Sequence, residues 1–257
     1  MMNSTMKNKF KKALGLILVL FFWLAVWEIC ARKIQLNFVL PTVGETFDAM
    51  ISIISQKNEL LTIILSLMRI TTGFLMGVII AMGLGILAVR FKAIKTLLSP
   101  LNIVAKSTPV AVIIIMLWLM IGGARVPAAV STIMVVPIIW QSILDGCEAI
   151  DPQLDEVCRI YNFSYFKRLK FLVMPTLLSY LLPALLTASG LAFKAGIAAE
   201  IICMTKKSIG QNLYNAKFLL DGPMMFAWTL IVLILSYFLE QLIKLIIGGI
   251  KKKCRLN

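Results

Sequence analysis

The sequence predicts an all-α, polytopic membrane protein with six transmembrane helices, on the evidence of its composition and its apolar runs. Of its 257 residues, 60% are hydrophobic and 15% are charged, whereas a soluble domain has about 25% charged residues. A helix needs about 20 apolar residues to cross a bilayer. Six runs meet this requirement, at residues 13–31, 60–89, 101–121, 127–144, 183–204 and 224–247.

The distribution of Lys and Arg predicts that both termini are cytoplasmic. Sixteen of the 26 basic residues fall on the side that holds the termini, and seven fall on the other side, which is the bias of cytoplasmic segments. The prediction is a cytoplasmic tail at 1–12, a membrane domain at 13–247 and a basic cytoplasmic tail at 248–257. The end of the first run matches no signal-peptide cleavage pattern, so we expect it to remain as an anchor.

Several function classes are excluded by residues that the sequence lacks. It has no His, which removes His metal sites and the usual general base, and it has no G-x-x-x-x-G-K-[ST] phosphate loop. We therefore expect no enzyme activity, no metal and no cofactor bound by this chain. The net charge of +14 is spread over short segments, which indicates membrane lipid as a partner and argues against nucleic acid.

The loop at 145–175 gathers nine of the 38 charged residues between two apolar runs. Its pattern predicts an amphipathic helix over 147–161 with one apolar face. Asn162 tolerates the left-handed backbone that ends a helix, and Ser164 can cap a second helix that we expect Pro175 to stop. The face consists of Ile150, Leu154, Val157, Cys158 and Tyr161.

This helix-turn-helix resembles the cytoplasmic signature of ABC importer permeases, which runs Glu-Ala-Ala, a Gly six residues after the Glu, and an aliphatic-Pro pair. The matching positions are Glu156-Val157-Cys158, Asn162 and Met174-Pro175, with both Ala residues and the Gly substituted. Further motifs follow the order of one branch, which imports nitrate, sulfonates, taurine, bicarbonate and thiamine pyrimidine precursors, and the resemblance covers about 38–245. These motifs are Leu40-Pro41-Thr42, Ser66-Leu67-Met68-Arg69 before Gly73, Thr108-Pro109, and Gly190 before Ala199-Glu200.

The resemblance implies a type I ABC importer permease in a bacterial plasma membrane. It implies a homodimer or a paired permease, cytoplasmic ATPase subunits that hold ATP and Mg, and an external solute-binding protein. The helix before Asn162 would rest in a groove of the ATPase, so loop 145–175 would couple ATP hydrolysis to transport. The coupling residues implied are Asp155, Glu156, Val157, Cys158, Asn162, Phe163, Ser164 and Pro175.

Four charged residues lie within predicted spans and away from the obvious span ends: Arg69, Lys106, Lys194 and Glu200. A Lys or Arg at a helix centre costs about 2.5–3.5 kcal/mol, so such groups line a cavity or pair. Lys106 and Lys194 could face a translocation path and favour an anion. Alternatively, Glu200 neutralises one cation across a helix interface while the others reach the headgroups.

Pro109 is expected to kink or break its span beside Lys106, either as part of the path or as a purely structural feature. Gly73 and Gly77 have the G-x-x-x-G spacing of close helix packing. Outside the spans, 41–55 reads as a surface helix with a capping box and an apolar stripe at Phe47, Met50, Ile51 and Ile54. The segment 206–223 reads as a polar external loop, and either element could contact a binding protein.

The leading hypothesis is therefore an importer permease for a small anion such as sulfonate, nitrate or bicarbonate. A neutral solute such as a thiamine pyrimidine precursor is the alternative within the family. The alternative of another class is an ion-coupled secondary transporter, which would normally have intramembrane acids and internal repeats. Only Glu200 is such an acid here, and no repeat is detected.

Overall fold

A computed structural model describes residues 4–254, and the secondary structure of this part of the chain is entirely helical. The predicted terminal tails lie partly outside the described residues. The helices are α1 (Ser4–Ile34), α2 (Val43–Ser55), α3 (Lys57–Arg90), α4 (Lys92–Ser107), α5 (Val110–Ile121), α6 (Val126–Glu148), α7 (Pro152–Ile160), α8 (Tyr165–Arg168), α9 (Met174–Cys203), α10 (Ile209–Phe218) and α11 (Gly222–Cys254), with a π-helical segment at Leu169–Val173.

Four helices of the described chain are long and apolar enough to cross a membrane. They are Lys57–Arg90, Val126–Glu148, Tyr165–Cys203 and Gly222–Gly249, and the bent pair α4 and α5 can count as a fifth span. The number six is not confirmed and stays a prediction. The sixth would be α1, part of whose side chains lie outside the description.

The predicted span at 101–121 is not one straight helix. The axes of α4 and α5 differ by 108°, and the break falls at Thr108 and Pro109, where we expected it. Thr108 has an extended backbone with φ −76° and ψ 129°, the conformation that a following proline favours. Pro109 has no N–H to continue the α4 hydrogen bonds, so α5 begins anew after it.

By contacts, the chain divides into two compact units. One comprises the chain up to residue 60 together with 212–231, and the other comprises 61–211 and the chain from 232 onward. In the second unit, α6 and α9 pack most extensively against each other. Their cores include Val130, Ile139 and Ala199, all 0% exposed.

The small residues of α3 lie against α6. A Cβ on Gly73 would lie 2.3 Å from the carbonyl oxygen of Ala128, and one on Gly77 would lie 2.8 Å from Cβ of Val135. Ala81 is fully buried. The predicted helix packing is confirmed, and its partner is a helix of the same chain.

In the first unit, α2 has the predicted capping box. Thr42 accepts from the Glu45 backbone N–H, and the Glu45 carboxylate accepts from the Thr42 N–H at 2.9 Å. The buried residues of α2 are Thr46 and Ile53. These two residues lie seven positions apart on one face of α2, and this face makes the internal contacts. The predicted apolar stripe is therefore largely exposed.

The prediction of a loop at 206–223 is wrong in part, since α10 occupies Ile209–Phe218. Ser208 caps this helix by accepting from the Gln211 N–H at 3.0 Å. Met204 and Leu220, with φ of 47° and 54°, supply the left-handed residues that end the preceding helix and α10. Non-glycine residues rarely adopt this backbone, so neither helix end is recognisable from the residue type.

Candidate coupling loop and translocation path

Loop 145–175 forms a helix-turn-helix, but with different boundaries from those predicted. The expected helix over 147–161 is divided, because α6 continues to Glu148 and α7 begins at Pro152. Asp151 caps α7 by accepting from the Gln153 N–H at 2.8 Å, and proline is favoured at the first position of a helix. This cap and proline together start a new helix.

The turn after α7 is fixed by two backbone hydrogen bonds. Asn162 has φ 50°, and its N–H donates to the Arg159 carbonyl at 3.0 Å, while the Phe163 N–H donates to the Cys158 carbonyl at 2.9 Å. This pair of bonds is a Schellman motif, in which a left-handed residue ends the helix. Asn162 therefore adopts the left-handed conformation that a Gly would adopt readily at this position.

An ion pair joins the two arms of the turn. Asp155 on α7 accepts from Nε of Arg168 on α8 at 2.5 Å and from Nη2 of Arg159 at 3.1 Å. The hydrogen bond from Arg168 is the main cause that holds the pKa of the Asp155 carboxyl below its usual value. Ser164 caps α8 as predicted, because its side-chain oxygen accepts a hydrogen bond from the Lys167 N–H. The angle between α7 and α8 is thus set by side chains as well as by the turn.

The apolar side of this helix-turn-helix is largely exposed. Only Cys158 of the predicted face is buried, and Tyr161 is 73% exposed. Ile160 and Phe166 are 74% and 79% exposed. Glu156 and Phe163 are exposed as well. The pattern predicts that these apolar residues share a face, but no part of the chain that the structure describes covers it.

Pro175 does not stop the second helix, so that prediction is wrong. The π-helical segment at Leu169–Val173 precedes it, and the Met174 N–H donates to the Leu169 carbonyl, five residues back. A proline clashes with the carbonyl four residues earlier in a regular α-helix, and the wider π turn accommodates it. One helix therefore runs from Tyr165 to Cys203, from the turn to the end of the span.

Within the spans, Glu200 is 0% exposed and accepts three hydrogen bonds, two from α3 and one from α10. It accepts from Nη1 of Arg69 on α3 at 2.7 Å, from Oγ of Ser66 at 2.9 Å and from the Gly210 N–H of α10 at 3.3 Å. Ser66 also accepts from the Ile209 N–H at 3.0 Å. The alternative that Glu200 neutralises a cation across a helix interface therefore holds, and Arg69 is that cation.

The other two predicted path residues are exposed and unpaired. Lys106 lies at the end of α4 and lines a cavity of about 210 Å³ together with Thr108, Pro137 of α6 and Leu191 of α9. Lys194 lines a second cavity with Glu240, whose ion-pair partner is Lys244 at 2.6 Å. Among the described residues, neither Lys106 nor Lys194 has an ion pair. The cavity beside Lys106 and the cavity beside Lys194 are therefore different ones.

Two partners of the candidate residues were not predicted, namely Arg168, which pairs with Asp155, and Ser66, which bonds to Glu200. Ser66 lies three residues before Arg69, hence on the same side of α3, and this spacing was a usable signal. Arg168 is thirteen residues from Asp155, beyond any helical spacing, so only the turn geometry brings them together.

The chain matches known proteins in sequence and in fold. Residues 73–252 match the family described as "Binding-protein-dependent transport system inner membrane component". The bicarbonate transport system permease protein CmpB of Synechococcus elongatus is 30% identical over 161 residues, 60% of this chain and 55% of CmpB. The nitrate import permease protein NrtB of Leptolyngbya laminosa is 24% identical over 205 residues, 75% of this chain and 71% of NrtB.

The fold resembles that of an amino acid ABC transporter whose crystal structure was determined with histidines. The TM-score is 0.56 and the sequence identity is 16%, and the match covers 80% of this chain and 94% of the transporter chain. The alignment with CmpB spans little more than half of that relative's length. The family model, by contrast, covers well over half of this chain. The chain therefore belongs to the inner-membrane components of binding-protein-dependent transport systems, which are the permeases of ABC importers.

Proposed function

We propose that this chain is the permease subunit of an ATP-binding-cassette importer for a small anion, in a bacterial plasma membrane with both termini cytoplasmic. It acts with cytoplasmic ATPase subunits, which bind ATP and Mg, with an external solute-binding protein and with a second permease chain. The carrying observation is the exposed apolar face around Glu156 on a turn that an ion pair and a Schellman motif hold rigid. A rigid, exposed face of this kind suits an ATPase groove.

Rigidity is what a coupling element requires. A flexible helix-turn-helix would bend when the ATPases move and would not transmit their displacement to the spans. The Asp155 ion pair braces α7 against α8, and α8 continues as helix to Cys203. Displacement of α7 is therefore expected to move α9.

The charges within the spans favour an anionic solute. Glu200 is occupied by Arg69, Ser66 and Gly210, which leaves Lys106 and Lys194 as the exposed charges of the predicted path. Lys106 stands at the break between α4 and α5, where polar backbone is tolerated if it lines a cavity. The names of the relatives CmpB and NrtB, which are bicarbonate and nitrate permeases, agree with a small anion.

The same arrangement disfavours the ion-coupled secondary transporter. Such a carrier needs an intramembrane acid that binds and releases its coupling ion. Glu200 is the acid that lies within a span and away from the obvious span ends, and it is buried in a network of hydrogen bonds that also holds the first turn of α10. A carboxylate whose hydrogen bonds hold the structure together is poorly suited to bind and release a coupling ion repeatedly.

The test is uptake by the chain reconstituted with its ATPase and binding protein. Uptake of labelled bicarbonate and nitrate should require ATP and should persist when the proton gradient is collapsed. Lys106→Ala should lower anion uptake at least tenfold, while Lys106→Arg should retain most of it. Lys217→Ala, at an exposed site of α10, is the matched control and should leave uptake unchanged.

Two outcomes would contradict the proposal. Uptake that follows a proton gradient without an ATPase would revive the secondary transporter. Uptake of a neutral pyrimidine precursor that is insensitive to Lys106→Ala would identify the neutral-solute branch.

A further inference from the structure

The start of α4 is joined by an ion pair to the last residue of α6. Nζ of Lys95 lies 2.5 Å from Oε1 of Glu148, although the two residues are 53 positions apart in the chain. Glu148 ends α6, and Asp151, which follows closely, caps α7. The ion pair therefore connects α4 to the short segment between α6 and the helix-turn-helix.

The positions of these two charges are not explained by the stability of their own helices. An anion is favoured near the start of a helix and a cation near its end, whereas Lys95 lies near the start of α4 and Glu148 at the end of α6. The side chains are 45% and 65% exposed, and an exposed ion pair contributes little to stability. What distinguishes this pair is which two segments it connects.

The rest of α4 is packed loosely. Within its described range, Lys92–Ser107, no residue is buried. Near its start, Ile94 and Leu98 pack against the core formed by α3, α6 and α9. Further along, two cavities of about 340 and 210 Å³ lie between α4 and α6. The helix is thus attached at the end that carries Lys95 and has free space beside it towards Lys106.

We propose that the Lys95–Glu148 ion pair is a second coupling contact, which transmits displacement of the helix-turn-helix to α4. This inference rests on the proposed function, in which the ATPases displace α7. Glu148 moves with the segment that leads into α7, and the ion pair passes this movement to the start of α4. Both are positioning residues, since neither lines the cavity beside Lys106.

The movement reaches the predicted path because α4 is one helix from Lys92 to Ser107. Its far end carries Lys106 and meets the break at Pro109, where the axes of α4 and α5 differ by 108°. A shift at the start of α4 therefore changes the position of Lys106, and the adjoining cavities leave room for it.

This contact acts separately from the one through α9. The helix from Tyr165 to Cys203 is continuous, so α9 follows the helix-turn-helix through the backbone. The backbone route to α4 runs back through the whole of α6 and α5. The side-chain contact at Glu148 is the shorter route, so its loss should stop the movement of α4 and leave that of α9.

The first test is solute transported per ATP hydrolysed, measured on the full complex with its ATPase and binding protein in liposomes. Labelled bicarbonate and nitrate are the probes. Lys95→Glu and Glu148→Lys each bring like charges together and should lower this ratio about tenfold, with ATPase association unchanged. The double variant Lys95→Glu/Glu148→Lys restores opposite charges and should recover most of the ratio.

The matched control is Lys92→Glu. It makes the same change of charge near the start of the same helix, at a residue for which the described part of the chain offers no ion pair. This variant should keep the ratio of the unaltered chain, which separates loss of the contact from loss of positive charge at the membrane surface.

Hydrogen–deuterium exchange of the same complex tests the movement of α4 directly and requires no knowledge of the solute. Trapping the ATPases with ATP and vanadate should change the exchange of peptides from α4 and from α7, in the unaltered chain and in Lys92→Glu alike. In Lys95→Glu the change in α7 should remain, and the change in α4 should be lost.

Three results would overturn the inference. They are an α4 response in Lys95→Glu equal to that of the unaltered chain, a double variant no better than its single variants, and a ratio in Lys92→Glu as low as in Lys95→Glu. If trapping changes the exchange of neither α4 nor α7 in the unaltered chain, the proposed function itself is contradicted and this inference fails with it.

Discussion

Arg69 and Glu200 lie 131 residues apart and form an ion pair with 2.7 Å between Nη1 and Oε1. The pair connects the middle of α3 to the end of α9. Because Glu200 also accepts from the Gly210 N–H at the start of α10, three helices depend on one carboxylate. The loss of that carboxylate should therefore cost more than a surface pair would.

Glu200→Leu should destabilise the chain by about 3–5 kcal/mol, because it leaves the Arg69 guanidinium in an apolar surrounding without a counter-charge. The double variant Arg69→Met/Glu200→Leu should recover a large part of the loss. Unfolding of purified chain by denaturant measures both. Additive effects of Arg69→Met and Glu200→Leu would show that the pair is not coupled.

Asp155→Asn should remove a pH dependence of stability. Arg168 holds the pKa of the Asp155 carboxyl below its unfolded value, which is about 3.9. The stabilisation is therefore complete above that value and is lost as pH falls through the lower, folded pKa. Melting temperatures of the chain and of Asp155→Asn should differ at pH 6 and converge in strong acid.

The control for this titration is Arg168→Gln, which removes the main cause of the lowered pKa and should flatten the same part of the pH profile. A profile that Arg168→Gln leaves unaltered would mean that the ion pair contributes nothing to the loop.

Asn162→Val should strain the Schellman turn, because a β-branched residue at φ 50° costs about 1–2 kcal/mol. Asn162→Gly should be neutral or slightly stabilising. We expect Asn162→Val to lower the ratio of solute transported to ATP hydrolysed, with insertion into the membrane unchanged. Equal ratios for the Val and Gly variants would argue against a coupling role for the turn.

Ile160→Asp should weaken association with the ATPase at least tenfold, because it places a charge in the exposed apolar face. The melting temperature should not change, since Ile160 is 74% exposed in the chain itself. Leu219→Asp, at a 73% exposed site after α10, is the control. Co-purification of ATPase with both variants at equal yield would contradict the proposed docking face.

Gly73→Ala should destabilise the packing of α3 on α6 by about 1–3 kcal/mol. The added Cβ would approach the Ala128 carbonyl oxygen to 2.3 Å. Gly83→Ala, on the same helix with nothing within 4 Å of its new Cβ, should instead stabilise by up to about 1 kcal/mol. Denaturant unfolding of the two variants gives the comparison.

The elements that the sequence predicted well are those set by local chemistry. The capping box of α2, the left-handed residue Asn162, the cap at Ser164 and the break at Pro109 each depend on residues within one turn. The close packing at Gly73 and Gly77 was equally predictable, because only small residues let two helix backbones approach so closely.

The errors arose where a distant part of the chain decides the outcome. The effect of Pro175 depends on the π turn that precedes it, and apolar periodicity does not report a π turn. Exposure of the Tyr161 face was not predictable, because periodicity shows that apolar residues share a face and not whether anything covers it. The choice of Arg69 over the two lysines as the partner of Glu200 depends on the packing of α3 against α9.

The π-helical segment at Leu169–Val173 determines where the chain can tolerate a change in length. A π turn holds one residue more than an α turn, so it has the form of a single-residue insertion absorbed locally. Deleting one residue there should restore regular α-helix and keep Glu200 in phase with Tyr165. The same deletion further along α9 would rotate everything beyond it by about 100°, so this segment is where the chain can lose one residue without changing the faces that α9 presents.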